Sequence, residues 1–188
     1  MKILSSKFIK GIVKDDPVMD DGIPQVAFIG RSNVGKSSLI NALTKSSLSR
    51  TSSTPGRTAE INFFLINDAV YFVDLPGYGF ARVSREEKGK LGNLIESYLF
   101  NKVYNQKKVV LIIDINVGMT DKDITMFNDL IACNKNIVVA LSKVDRITQS
   151  ECHAKLKQIQ TITGDLPLFQ FSSKKMIGID ALVEEVLS

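Results

Sequence analysis

The sequence predicts an α/β fold with a mostly parallel, six-stranded sheet, one antiparallel strand, and helices on both faces. Three patterns indicate this fold. An apolar run at residues 26–29 leads through a glycine-bounded turn into apolar residues at helical spacing. Two β-rich runs flank Asn67-Asp68, residues that tolerate positive φ, which predicts an antiparallel hairpin. Beyond residue 90, short apolar runs alternate with amphipathic segments, as in parallel βα units.

The elements can be assigned in chain order. Residues 1–23 are interpreted as an N-terminal segment with a short edge strand at 8–13, which Asp-Pro and Asp-Gly pairs then interrupt. Residues 24–188 are interpreted as the main domain. Its predicted strands are 26–29, 61–66, 70–73, 109–113, 137–141 and 168–171, and its predicted helices contain residues 36–43, 91–99, 124–131, 156–159 and 179–187.

Composition favours one globular domain. Of 188 residues, 44% are hydrophobic, which is enough for a full core. No run approaches the roughly 18 apolar residues of a membrane span, and the N-terminus lacks a signal peptide's apolar stretch. We therefore expect a cytoplasmic protein with reduced cysteines at Cys133 and Cys152. The expected oligomeric state is a monomer. His153 has no second ligand nearby in sequence, so neither metal binding nor catalysis is expected of it.

The turn after the first main-domain strand has the pattern G-x-x-x-x-G-K-S, from Gly30 to Ser37. Such a turn points successive backbone N–H groups inward around a phosphate, next to the positive end of a helix. Lys36 is expected to contact the β- and γ-phosphates, and the Ser37 hydroxyl to bind Mg²⁺. The sequence therefore predicts a nucleotide-phosphate site.

Two further loops supply compatible chemistry. The hairpin ends in Asp74-Leu75-Pro76-Gly77, where a carboxylate can reach Mg²⁺ through water and the Gly77 N–H can contact a γ-phosphate. Residues 44–58 are almost entirely polar and form a loop too long for a simple connection. Loops of this length are usually functional or disordered.

The predicted strand at 137–141 leads directly into Ser142-Lys143-Val144-Asp145. A carboxylate accepting two N–H donors pairs with the N1–H and N2 amine of guanine, whereas adenine has an acceptor at N1 and no amine at C2. Asp145 is therefore the candidate guanine selector, and the stem of Lys143 could cover the base. Phe171-Ser172-Ser173, at the end of the last strand, could hold the guanine O6 and brace Asp145.

The order of these motifs resembles a small Ras-like GTPase from about residue 25 to the end of the chain. The phosphate loop, Thr54-Pro55-Gly56-Arg57-Thr58 and Asp74-Leu75-Pro76-Gly77-Tyr78-Gly79-Phe80-Ala81 narrow the resemblance to the EngB (YihA/YsxC) family, in the TrmE-Era-EngA-EngB-Septin-like class of P-loop GTPases. The Pro-Gly-Tyr-Gly run is its most specific element. The resemblance implies a GTP-binding protein of large ribosomal subunit assembly, with ribosomal RNA as a partner and a role in cell division and septation.

The resemblance also implies roles for individual residues. Ser37 and Thr58 would bind Mg²⁺ directly, Asp74 would complete the metal site, and Thr58 would contact the γ-phosphate through its backbone. The residues expected to act in catalysis are Lys36, Thr58, Gly77 and Asn33. The residues expected to contact nucleotide are Gly30, Arg31, Ser32, Asn33, Val34, Gly35, Lys36, Ser37, Ser38, Gly56, Arg57, Thr58, Asp74, Leu75, Pro76, Gly77, Ser142, Lys143, Val144, Asp145, Phe171, Ser172 and Ser173. For the side chains of Arg31 and Arg57, a solvent-facing role is favoured.

The chain departs from the family pattern at two places. Ser142 stands where Thr or Asn is usual, which predicts a weaker brace to the phosphate loop. The segment Asp114–Met119 lacks the expected Ala-Arg-His type of sequence, which predicts different partner contacts.

Two residues bear on the rate of hydrolysis. Tyr78 stands where Ras-type switches place the glutamine that orients the attacking water, so we expect slow unaided turnover, on the order of 10⁻³ s⁻¹ or below. Asn33 resembles the asparagine that coordinates K⁺ in related GTPases. The alternative is that Asn33 hydrogen-bonds its own backbone and caps the loop.

A basic segment follows the D-x-x-G motif. Its cationic residues are Arg82, Arg85, Lys88, Lys90, Lys102, Lys107 and Lys108. Together with a net charge of +4, they permit contact with ribosomal RNA, and an ordinary charged helix face explains them equally well.

Three functions remain in competition. The first is a GTPase switch in ribosome assembly, and the second is a GTP-gated binding module in which hydrolysis is incidental. The third, an ATP-using P-loop enzyme such as a kinase, is disfavoured by Asp145 and by the lack of a lid for a second substrate.

Overall fold

Strand β2 organises the sheet because every one of its residues is buried and it lies between two parallel neighbours. The computed structural model describes residues 2–48, 60–78, 85–101 and 104–188. In these residues the strands are β1 (Ser6–Ile12), β2 (Gln25–Gly30), β3 (Ile61–Ile66), β4 (Val70–Asp74), β5 (Gln106–Asp114), β6 (Ile137–Ser142) and β7 (Leu168–Gln170). The helices are α1 (Lys36–Thr44), α2 (Arg85–Phe100), α3 (Asp121–Ala132), α4 (Gln149–Thr163) and α5 (Ile179–Leu187).

Across the described ranges these strands form one seven-stranded sheet in the order β1-β3-β4-β2-β5-β6-β7. The α/β fold is confirmed, and the sheet has one strand more than the six expected because β1 pairs with β3. Strand β3 runs antiparallel to both of its neighbours, and the pairs from β4 to β7 are all parallel.

The hairpin between β3 and β4 has the predicted turn. Asn67 and Asp68 both have a φ of 52°, the left-handed conformation that these residue types tolerate better than most. The side chain of Asn67 also accepts hydrogen bonds from the backbone N–H groups of Leu4 and Ser5, which ties the start of the chain to the turn.

Apolar cores lie on both faces of the sheet. One face packs against α1 and α5 through residues such as Leu39 and Leu182. The other packs against α2, α3 and α4 through residues such as Tyr98, Phe127 and Ile159. Because β4, β2, β5, β6 and β7 are parallel, their carboxyl ends lie along one edge, where the candidate loops are brought together.

Two further expectations, outside the candidate site, concern the cysteines and membrane spans. Cys133 and Cys152 are free thiols, as expected. Among the helices that the structure describes, none has the length and apolar character needed to cross a membrane.

Candidate nucleotide-binding site

The phosphate loop, defined as Gly30–Ser37, connects β2 to α1 and depends on glycine at two places. A Cβ on Gly30 would lie 2.5 Å from the main-chain oxygen of Ile112, so the close packing of the loop on β5 excludes any side chain. Gly35 precedes α1 with a φ of 111°, which side chains rarely allow. Asn33 has a φ of 62°, and its exposed side chain makes no hydrogen bond to the described residues. The local cap considered for Asn33 is therefore not seen.

Lys36 begins α1 and carries a buried ammonium group. Its side chain points back across the loop, with Nζ 3.5 Å from the main-chain oxygen of Gly30. Only 8% of the residue is exposed. Burial lowers the pKa of Lys36, and the negative charge of Asp74 partly opposes that shift. The loop therefore contains a desolvated cation that lacks the full hydration of a surface lysine.

Ser37 and Asp74 meet although they are far apart in sequence. The Ser37 hydroxyl donates a hydrogen bond of 2.8 Å to Oδ2 of Asp74, at the end of β4. Asp74 is 6% exposed. A hydroxyl and a carboxylate next to a lysine are the donor types of a nucleotide-bound Mg²⁺ site, so the residues present fit that ion.

The D-x-x-G segment continues the parallel pairing of β4 along the phosphate loop. The N–H of Leu75 donates to the oxygen of Phe28, and the N–H of Tyr78 donates to the oxygen of Gly30 at 3.2 Å. The N–H of Ser32 then donates to the oxygen of Tyr78 at 3.1 Å.

Gly77 lies directly against the loop as a consequence of this pairing. A Cβ on Gly77 would be 2.8 Å from the Ser32 nitrogen and 2.9 Å from Nζ of Lys36. No residue with a side chain fits there without moving the segment.

The side chain of Tyr78 reaches a residue that sequence reasoning did not identify. Its hydroxyl donates a hydrogen bond of 2.7 Å to Oδ1 of Asp123, a fully buried residue of α3. Burial and the Asp123 charge raise the pKa of Tyr78 well above its usual value, so the hydroxyl stays protonated. The sequence does contain one signal for Asp123, because Thr120-x-x-Asp123 reads as a capping box.

Asp123 also contacts the phosphate loop. Its Oδ2 lies 3.1 Å from Nε of Arg31, an ion pair without the alignment of a hydrogen bond. The solvent-facing role favoured for Arg31 is therefore wrong, because the buried carboxylate draws the guanidinium inward.

The loop after β6 is tied to the phosphate loop by two residues. The Ser142 hydroxyl lies 2.8 Å from the main-chain oxygen of Val34 and can donate to it. Nζ of Lys143 donates to the main-chain oxygen of Asn33 at 2.8 Å and pairs with Asp114 at 2.6 Å. The end of β6 and the loop after it are thus joined directly to the phosphate loop.

Asp145 is exposed at the mouth of a cavity of about 150 Å³ between these loops. Val34 and Ser38 line one side of this cavity, and Phe171 and Ser172 line the other. A hydrogen bond from the Ser172 hydroxyl is the main reason that the pKa of Asp145 is lowered, which keeps the carboxylate ionised as an acceptor.

Two buried hydroxyls in these loops have no hydrogen-bond partner among the described residues. One is Oγ of Ser32, in the phosphate loop, and the other is Oγ of Ser173, after β7. Buried polar atoms are normally paired, so both positions suit a bound polar ligand.

Three expected nucleotide contacts, Gly56, Arg57 and Thr58, lie outside the described residues. The same holds for most of the polar loop at 44–58 and for Gly79–Ala81 of the Pro-Gly-Tyr-Gly region. All other predicted site residues lie in the phosphate loop and the first turn of α1, in the D-x-x-G segment, at the end of β6 and the loop after it, or directly after β7.

The basic segment is only partly described. Lys90 and Lys107 are exposed, as an RNA-contacting or solvated face requires. Lys108 is buried instead, and its Nζ pairs with Glu185 of α5 at 2.8 Å. Including Lys108 in that surface was wrong. The residues Arg82 and Lys102, and the side chains of Arg85 and Lys88, lie outside the described part of the chain.

Comparison with known proteins identifies relatives of this chain. A family model described as a 50S ribosome-binding GTPase matches residues 25–143. The chain is 45% identical over 188 residues to the probable GTP-binding protein EngB of Clostridium perfringens strain SM101, covering 98% of this chain and 95% of that protein. It is 39% identical over 184 residues to the probable GTP-binding protein EngB of Bacillus subtilis strain 168, covering 96% and 94%.

The chain belongs to the EngB family of GTP-binding proteins. A solved structure of a probable GTP-binding protein engB superposes with a TM-score of 0.72 at 24% identity, covering 87% of this chain and 98% of that one. Era in complex with MgGDPNP and nucleotides 1506–1542 of 16S ribosomal RNA gives a TM-score of 0.72 at 23% identity, covering 88% and 56%. These two structures show the shared fold. The family model and the EngB relatives show that this chain belongs to the P-loop GTPases.

Proposed function

We propose that this chain is a slow GTPase whose nucleotide state controls its binding to a precursor of the large ribosomal subunit. The observation that carries the nucleotide part is the contact of Lys143 with the phosphate loop, because it sets a base-reading loop against a phosphate-reading loop. Between them lies the cavity with the ionised Asp145. The proposed ligands are GTP and GDP.

The proposed roles follow the chemistry of each side chain. Asp145 selects guanine, Lys36 neutralises phosphate charge, and the N–H groups from Asn33 to Ser38 cradle the phosphates. Ser37 and Asp74 would hold Mg²⁺, and Thr58 is proposed as a further ligand. When bound, Mg²⁺ would neutralise charge on the β- and γ-phosphates.

Slow turnover is supported by Tyr78. A phenol offers no amide to orient water, and its hydroxyl is already engaged by Asp123. Hydrolysis also requires neutralisation of the charge that develops between the β- and γ-phosphates, for which we propose K⁺ at Asn33 or a ribosomal partner.

The ribosomal part rests on the family. The matching model describes a 50S ribosome-binding GTPase, and the relatives are EngB proteins. The exposed Lys90 and Lys107 offer cationic contacts for ribosomal RNA. Roles in large-subunit assembly, and through it in cell division and septation, complete the proposal, together with a cytoplasmic location.

The first experiment is a titration with fluorescent GDP, competed by GTP, GDP and ATP, with and without Mg²⁺. We expect competition by the guanine nucleotides only, at micromolar concentrations or below. Competition by ATP, or no binding, would contradict the assignment of Asp145 and with it the ribosomal function.

The alternative function is a GTP-gated binding module, which the engaged Tyr78 hydroxyl also favours. The two functions differ in how the protein leaves its partner. If the protein is a hydrolysis-timed switch, it stays on ribosomal precursors when it is loaded with a non-hydrolysable GTP analogue. When it is loaded with GTP, it dissociates once the GTP is hydrolysed. A module is released equally in both conditions, at the rate of nucleotide exchange.

A further inference from the structure

Tyr78 lies between two parts of the site, and both of its ends are held. Its backbone pairs with Gly30 and Ser32 of the phosphate loop, at 3.2 and 3.1 Å. Its hydroxyl donates to Asp123 of α3 at 2.7 Å. The segment from Leu75 to Tyr78, called the closed segment below, is therefore fixed against the phosphate loop by main-chain and side-chain bonds together.

This arrangement fills the space that a third phosphate needs. A Cβ on Gly77 would lie 2.9 Å from Nζ of Lys36, so Cα of Gly77 is at most one C–C bond, roughly 1.5 Å, farther away. A γ-phosphate bonded to Lys36 needs an oxygen about 2.8 Å from Nζ and further space for its phosphorus atom and other oxygens. The same phosphate group would compete with Tyr78 for the N–H of Ser32.

The α- and β-phosphates make no such demand. They are cradled by the N–H groups at the turn into the helix, from Asn33 to Ser38, which lie beyond the Tyr78 contact. A diphosphate is therefore compatible with the closed segment, whereas a triphosphate requires Gly77 and Tyr78 to withdraw.

The anchor for Tyr78 is rigid. Asp123 is fully buried, and its Oδ2 accepts hydrogen bonds from the N–H and the hydroxyl of Thr120, at 2.8 and 2.7 Å. Arg31 adds an ion pair at 3.1 Å. Because these groups fix the carboxylate, its Oδ1 stays aimed at the Tyr78 hydroxyl when the segment closes.

We infer that Tyr78, acting through Asp123, is a positioning residue that sets the preference between GDP and GTP. Its hydroxyl stabilises the closed segment, which admits a diphosphate and must open for a triphosphate. The apparent affinity for triphosphate is the intrinsic affinity multiplied by the fraction of molecules in which the segment is open. Weakening the closed state raises that fraction and therefore raises the apparent affinity. This inference rests on the proposed binding of GTP and GDP.

The test is Tyr78→Phe, which removes the hydroxyl and keeps the ring. Dissociation constants for GDP and for the non-hydrolysable analogue GMPPNP are measured on the wild type and the variant. We expect the preference to shift about tenfold toward GMPPNP, as one hydrogen bond to a buried charged group would give, with GDP affinity unchanged.

The matched control is Tyr71→Phe. Tyr71 is near the other end of β4, and its hydroxyl donates to Asp21 at 2.8 Å. This substitution removes the same atom from the same type of bond away from the site, so the nucleotide preference should stay as in the wild type.

A second measurement reports the closed segment itself. In the GDP-bound protein, amide hydrogen exchange at Ser32 should be faster in Tyr78→Phe than in the wild type or Tyr71→Phe. The reason is that the Ser32 N–H donates to the main-chain oxygen of residue 78, and this bond breaks when the segment opens. An unchanged GMPPNP-to-GDP preference, or equal weakening of both nucleotides, overturns the inference even if the wild type binds both. Failure of the wild type to bind guanine nucleotides overturns the proposed function and this inference with it.

Discussion

The hydroxyl oxygen of Ser142 lies 2.8 Å from the main-chain oxygen of Val34, so the end of β6 is hydrogen-bonded to the phosphate loop. The same hydroxyl lies 3.2 Å from the oxygen of Ile113. A serine has one proton to donate, whereas an asparagine at this position would have two. The brace is thus present, and it depends on a single hydroxyl.

Ser142→Ala should lower both stability and nucleotide affinity. It leaves the Val34 oxygen without its hydroxyl donor in a buried place, at a cost of about 1–3 kcal/mol in the free energy of unfolding. It also frees the end of β6, and with it the loop that carries Asp145, from the phosphate loop, so GDP affinity should fall severalfold. Denaturant unfolding and GDP titration measure the two effects. The exposed Ser150→Ala is the control, and equal behaviour of the two variants would mean that the brace contributes nothing.

Lys36→Met should destroy binding and yet stabilise the nucleotide-free protein. Loss of charged hydrogen bonds to phosphate should weaken GDP binding by about 100-fold or more. Burial lowers the pKa of Lys36 because charging it in the folded protein costs free energy, and methionine removes that cost. We therefore expect a higher free energy of unfolding for the variant without nucleotide.

The pH dependence of stability gives a second check on Lys36. The folded pKa lies below the ordinary value of 10.5, so at alkaline pH the unfolded chain binds the proton more tightly than the folded chain. Stability contributed by this group rises with pH between the folded pKa and 10.5. Lys36→Met should lack that rise, and the exposed Lys157→Met should keep it. Matching curves for the two variants would contradict the buried-cation description.

Asp145→Asn should change which base is accepted. The amide presents one acceptor and one donor, so it loses the paired acceptance from guanine and suits xanthine, which has an oxygen at C2. GDP affinity should fall about 100-fold, and xanthosine diphosphate should bind better than GDP. Competition titrations measure this exchange, with the exposed Asp165→Asn as control. Unchanged GDP affinity would show that Asp145 does not read the base.

The elements could be predicted because their signals are local. The apolar β-rich runs of β3 and β4, the helical period in α3 and α5, and the tolerance of Asn67 for positive φ depend only on neighbouring residues. The phosphate loop was equally readable, because its glycines and Lys36 are consecutive in the chain.

Contacts between distant residues could not be predicted in the same way. The sequence gives no sign that Tyr78 contacts Asp123, 45 positions away. That contact depends on how α3 packs beside the D-x-x-G segment that follows β4. The capping box at Thr120 explains one carboxylate oxygen of Asp123 and leaves the other unassigned. Lys108 was misjudged for the same reason, since only the packing of α5 brings Glu185 to its ammonium group.

Replacing NaCl with KCl at equal ionic strength should accelerate GTP hydrolysis by about tenfold or more, part of the roughly 10³–10⁵ that an arginine finger supplies. The reason is the exposed Asn33 side chain, which has no hydrogen bond to the described residues and so has an amide oxygen available beside the phosphate loop. Asn33→Gly tolerates the φ of 62° and removes that oxygen, so it should abolish the K⁺ effect on hydrolysis and on the dissociation rate of a fluorescent GTP analogue. The exposed Asn93→Ala, on α2, should retain both. Equal rates in the two salts for the wild type would leave Asn33 without a cation and assign the missing positive charge to the ribosomal partner.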